Sequence, residues 1–112
     1  MTTAKFLHRG GKLVGFSVQG HTGLACNGED VACASVSSAV QMAANTLTET
    51  LGLSAEIRTR EALVYLRLSD AADEAEMQKA FAADAVLKGM RAHFKLLSEE
   101  FPGYIRTEDS EV

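Results

Sequence analysis

One stripe of apolar residues constrains this chain more than anything else in it: Ala80, Ala83, Leu87, Met90, Phe94, Leu97 and Phe101 step by alternating threes and fours. That spacing follows one face of a helix, so the pattern predicts a helix from about Asp73 to Glu99, stopped by Pro102-Gly103. A helix of about seven turns with one apolar face holds its shape mainly through what covers that face. The cover has to come from the rest of 112 residues, which suffice for one hydrophobic core and not for two ordinary domains. A single domain over residues 1–112 is therefore expected.

The remaining elements can be read around that helix. Lys5 to Leu7 and Leu13 to Gln19 form a hairpin about His8-Arg9-Gly10-Gly11, with Val14, Phe16 and Val18 on one face and Gly15, Ser17 and Gln19 on the other. Gly20 to Glu29 has no periodicity and reads as a surface loop. Asp30 then suits a helix N-cap, Val36, Val40, Ala43 and Leu47 recur at helical spacing, and Gly52 offers a left-handed stop. Ser54 to Thr59 and Ala62 to Leu68 make a second hairpin turning at Arg60-Glu61, with Val64, Leu66 and Leu68 on one face. Tyr104 to Thr107 adds a short last strand, and Glu108 to Val112 is expected to fray. The order β-β-α-β-β-α-β suits an α+β fold of two layers, a mostly antiparallel sheet packed with two helices.

Composition narrows the function. With 46% apolar and 23% charged residues the chain has the balance of a soluble globular protein, and a net charge of −4 with basic residues scattered along the sequence gives no footprint for nucleic acid as a direct ligand. No stretch is apolar for long enough to act as a secretory signal or to span a membrane, so the expected location is cytoplasmic, where the two thiols, Cys26 and Cys33, stay reduced.

Counted from the Asp30 cap, Cys33 falls in the first helical turn, where backbone N–H groups lack intrahelical acceptors and the helix dipole favours an anion. A thiolate there, with an imidazole from the preceding loop as base, is the arrangement of a thiol nucleophile, and His21 is the histidine so placed. The free N–H groups would also receive the oxyanion formed when a carbonyl is attacked, although Asp30 as cap competes for them and its charge opposes the thiolate. On position alone, a buried core cysteine accounts for Cys33 better. A zinc site from His21, Cys26, Asp30 and Cys33 has suitable ligand types but no recognised spacing, and a Cys26–Cys33 redox pair is not a Cys-x-x-Cys motif. Neither a metal nor another cofactor is expected. His8, at a hairpin turn, and His93, near a helix end, read as solvated or structural.

The runs Gly20-His21-Thr22-Gly23 and Gly28-Glu29-Asp30-Val31-Ala32-Cys33-Ala34-Ser35-Val36-Ser37 shift that balance. They resemble the Prp family of bacterial ribosomal-processing cysteine proteases, in which a Gly-His pair and a glycine loop precede Gly-x-Asp, two aliphatic residues and Cys-Ala-x-Val-Ser. The resemblance implies a cysteine endopeptidase with a His-Cys dyad, His21 as base and Cys33 as nucleophile, with Asp30 and Ser37 supporting them. It further implies that the substrate partner is the precursor of a large-subunit ribosomal protein, whose short N-terminal extension is cut after an aromatic residue. Ala32 and Ser35 depart from the residues usual at their positions, which touches packing and not the chemistry. For Asp30 the capping role is the simpler one, orientation of His21 the alternative; Ser37 either holds the site backbone or bonds back to the Cys33 carbonyl. A homodimer is expected, since sheet edges and apolar surface invite self-association and the family points the same way. The rival reading is a non-enzymatic dimeric ribosome-assembly adaptor that binds an extended peptide without cutting it.

Overall fold

The computed structural model describes residues 1–20, 31–71 and 73–112. Two strands, β1 (Thr2–Arg9) and β2 (Lys12–Gln19), are joined at Gly10-Gly11, both with positive φ. A helix α1 (Val31–Asn45) continues as a π-helical segment (Thr46–Thr50), the hairpin β3 (Ala55–Arg60) and β4 (Leu63–Leu68) follows, and α2 (Glu74–Glu100) leads to β5 (Ile105–Glu111). The five strands form one sheet in the order β3-β4-β2-β1-β5, antiparallel throughout except where β5 runs parallel to β1. The two-layer α+β architecture and its element order are those expected from the sequence.

The stripe on α2 does what its spacing predicts. Ala83, Leu87, Met90, Phe94 and Leu97 are buried, and Phe94 meets Phe6 of β1 edge to face with ring centroids 6.0 Å apart. Across the sheet, Phe6, Phe16 and Leu66 stand side by side in register on the same face, and α1 adds Ala32, Val36, Val40 and Ala43 to that core. Asp73 caps α2, its side chain accepting from the Glu76 N–H at 2.9 Å.

The first hairpin differs from expectation in two respects: β1 runs from Thr2 to Arg9, so His8 and Arg9 belong to the strand rather than to the turn, and the pairing is interrupted. The register slips between Leu7 and His8, where Leu7 faces Gly15 and His8 faces Leu13, so Val14 has no partner across the pair. This bulge resets the alternation and sends Leu13, rather than Val14, into the core. The Leu13 N–H then donates to the buried Asp84 carboxylate of α2 at 2.8 Å, and Lys88 lies 3.0 Å from the other oxygen. Burial pushes the Asp84 carboxyl upward, but the Leu13 N–H and Lys88 more than offset it and hold it below the ordinary carboxylate range.

The chain end also departs from the predicted fray. β5 runs to Glu111, because Asp109 is gripped from two sides: Arg91 of α2 donates through Nε and a terminal nitrogen at 2.9 and 2.7 Å, and His8 of β1 lies 2.8 Å away. Arg91, and then His8, hold the Asp109 carboxyl well below the usual carboxylate range. A carboxylate whose folded pKa is depressed contributes stability that is complete above its unfolded pKa, and loses it as the pH falls toward the folded value. Thermal denaturation is therefore expected to show a melting temperature that falls below about pH 4, and Asp109→Asn should flatten that fall. Parallel curves for the two proteins would remove Asp109 from the acid response. Because Asp109 is 43% exposed, solvent screening keeps the effect modest.

Candidate active site

The expected nucleophile and base flank the connection from β2 to α1. Cys33 is the third residue of α1 and lies in its first turn, as the sequence predicts, and it is half-buried. Ala32 beside it is fully buried and pins the turn to the core, whereas Val31 is largely exposed. No residue in the first turn of α1 is acidic, so within the helix nothing cancels the positive end of its dipole. Ser35 donates its Oγ–H to the Val31 carbonyl at 2.9 Å, and Ser37 is exposed one turn beyond Cys33. His21, Cys26 and Asp30 lie outside the described residues. Among the described residues no group of three or more metal-ligating side chains comes together.

At the other end of the connection the backbone is tightly specified. Gly20 has φ of +99°, donates its N–H to the Ala62 carbonyl at 2.8 Å and receives the Thr2 hydroxyl on its own carbonyl at 3.4 Å. A Cβ at Gly20 would stand 2.3 Å from the Met1 carbonyl oxygen. The glycine directly before His21 is thus required twice over, by its conformation and by the approach of β1, and it fixes the point from which the chain departs toward the histidine. The Gly-His pair was visible in the sequence; the reason for the glycine was not, since it depends on β1 and the β3–β4 turn meeting there.

Beside the N-terminus of α1 a groove of about 1040 Å³ opens between α1 and α2. Val31, Ala34, Ser35 and Met42 form one wall, Val86 and Gly89 part of the other. The wall includes Ala34, the residue next to Cys33.

A five-stranded sheet backed by two helices, with a cysteine in the first turn of one of them, makes this a small α+β domain with a thiol at a helix start. Residues 1–106 match the family described as cysteine protease Prp, and the chain belongs to that family. No curated protein matches the sequence. Among solved structures the chain is similar to the essential ribosomal processing protease Prp of Staphylococcus aureus in complex with a covalently linked product peptide. That pair has a TM-score of 0.82 and 19% identity, and the match covers 98% of this chain and 100% of that one. The same protease with a substrate peptide gives 0.78 and 18%, again over 98% and 100% of the two chains. SMU.848 from Streptococcus mutans gives 0.74 and 19%, covering 100% of this chain and 96% of that one. At these identities the likeness is one of fold.

Proposed function

We propose that this chain is a cysteine endopeptidase that removes a short N-terminal extension from a large-subunit bacterial ribosomal protein, cutting after an aromatic residue. The observation that carries the proposal is the position of Cys33 in the first turn of α1, in a chain matching the Prp family over residues 1–106. In this reading His21 takes the Cys33 proton and the sulfur adds to the scissile carbonyl carbon, placing negative charge on the carbonyl oxygen. First-turn N–H groups of α1, which have no acceptor within the helix, receive that charge. Collapse breaks the C–N bond as His21 returns the proton to the leaving amine, and a thioester remains. Water, deprotonated by His21, then adds to the thioester; the C–S bond breaks, and the carboxylate product leaves with the thiol restored. Asp30 caps the helix or orients His21, and Ser37 supports the backbone of the same turn.

Incubation with a ribosomal protein precursor carrying its N-terminal extension, followed by intact mass measurement, tests this. Loss of the extension after an aromatic residue is expected; a precursor that binds and keeps its full mass would favour the adaptor reading instead.

The cytoplasmic homodimer belongs to the same proposal. Val31 and Met42, at 63% and 73% exposure, border the groove between α1 and α2, and apolar surface of this kind at a helix pair is suited to a second copy of the chain. Light scattering is expected to give twice the 12.0 kDa chain mass, and Met42→Glu to shift the population toward the single chain. A monomer at micromolar concentration in the wild type would rule the dimer out.

A further inference from the structure

The face of the sheet turned away from the helices brings together charges that the sequence scatters. The strand registers place Arg58, Tyr65, Ser17, Lys5 and Glu108 in one row across all five strands. The row on one side holds Arg60 and Arg106, and the row on the other holds Glu56 and Arg67. Thr3, Lys5, Ser17, Gln19, Arg106 and Glu108 line one shallow depression of about 240 Å³, which confirms their common face. Along these three rows Lys5, Arg58, Arg60, Arg67 and Arg106 face two carboxylates, with the Arg9–Asp70 ion pair beside Glu56 and Arg67, a positive surface on a chain whose net charge is −4.

Both carboxylates are engaged. Glu56 pairs with Arg58, and Glu108 with Arg106 at 2.8 Å. Among the described residues no ion pair engages Lys5, Arg60 or Arg67. In the central row, at the β3–β4 edge of the sheet, the Arg58 guanidinium lies over the Tyr65 ring at 5.6 Å from its centroid.

We propose that this open sheet face docks single-stranded RNA. Five strands at about 4.8 Å spacing make a platform roughly 19 Å across, with cations on β1, β3, β4 and β5 and an aromatic-guanidinium stack at its β3–β4 edge, the combination that takes phosphates and unpaired bases together. The Thr3, Ser17 and Gln19 side chains supply hydroxyl and amide groups beside those cations, suited to 2′-hydroxyls and base edges. Duplex grooves take a helix, a loop or a narrow two-stranded ribbon, whereas the described residues of this face form a broad five-stranded surface. An acidic polypeptide would use the charges and leave the Tyr65–Arg58 stack and the amide without a task.

The proposal is independent of the cysteine chemistry, so the two can fail separately. Fluorescence anisotropy of a labelled single-stranded oligouridine is expected to show binding that weakens with salt, with a log–log slope of about −2 if three phosphates are contacted. Lys5→Gln/Arg60→Gln/Arg67→Gln should weaken binding at least about tenfold at low salt and flatten the slope toward zero, while leaving cleavage of a short peptide substrate unchanged. Lys79→Gln/Lys95→Gln, on α2, should bind as the wild type does. Should the triple variant melt early, Arg60→Gln alone, at an exposed edge-strand position, should reduce the slope by about 0.7. Absence of binding at low salt, equal binding by the charge-neutralised variants, tighter binding of duplex RNA, or displacement of the oligouridine by a lower concentration of polyglutamate would each overturn the proposal.

Discussion

Cys33→Ala and His21→Ala are each expected to abolish removal of the N-terminal extension, lowering the rate by about 10⁴-fold or more. In the proposed mechanism nucleophile and base act on one proton, so removing either would leave only binding and oxyanion stabilisation, and the double variant should be little worse than either single one. The position of Cys33 supports this for the nucleophile: its first-turn location puts the developing oxyanion next to N–H groups that the helix itself does not use. Ala32 is fully buried beneath the same turn, so truncating the half-buried Cys33 to alanine should leave the fold intact, and loss of activity would then report on chemistry. Cys26→Ser should cleave normally. Single-turnover assays of the four variants against the precursor decide it, and substantial cleavage by Cys33→Ala would falsify the mechanism. The same chemistry predicts that iodoacetamide labels Cys33 faster than Cys26 near pH 7, and that His21→Ala narrows the difference.

The parts of the fold that the sequence made legible are those in which local pattern and tertiary burial agree. The α2 stripe, the start of α2 near Asp73, the left-handed stop at Gly52 and the burial of Val36, Val40, Ala43 and Leu47 all lie where spacing and turn chemistry place them. What escaped reading depended on partners distant in sequence. The β3–β4 turn sits at Glu61-Ala62, one residue beyond the expected place, because Ala62 takes a positive φ of 60° that no glycine or asparagine announces. The bulge at Val14 is fixed by the demand of Asp84, 71 residues away, for the Leu13 N–H. The acidic tail is a strand because Asp109 finds Arg91 and His8, a pairing invisible in a run of charges. At the candidate site, Cys33 could be placed by counting from a cap. The roles of His21 and Asp30 instead rest on motif resemblance, since those residues lie outside the described part of the chain.

Gly20→Ala is expected to cost about 2–4 kcal/mol of stability and most of the activity, a combination that tests whether the start of the β2–α1 connection is set by backbone packing. Two effects add. At φ of +99° an alanine is strained, which costs about 1–3 kcal/mol where the surroundings hold the conformation. Its Cβ would also stand 2.3 Å from the Met1 carbonyl oxygen, and neither side can yield cheaply. On one side the next residue, Thr2, is buried and donates its N–H to the Tyr104 carbonyl at 2.8 Å; on the other Gly20 is itself bonded to Ala62. Gly10→Ala provides the comparison, since Gly10 also has a positive φ, of 61°, but no atom lies within 4 Å of its added Cβ. That variant should pay the conformational cost alone, about 1 kcal/mol, and should cleave normally. Denaturant midpoints and precursor cleavage measured on both variants separate the two effects. Equal losses of stability would mean that the contact with Met1 relaxes without cost. Full activity in a folded Gly20→Ala protein would mean that the position of His21 is set by something other than the glycine before it.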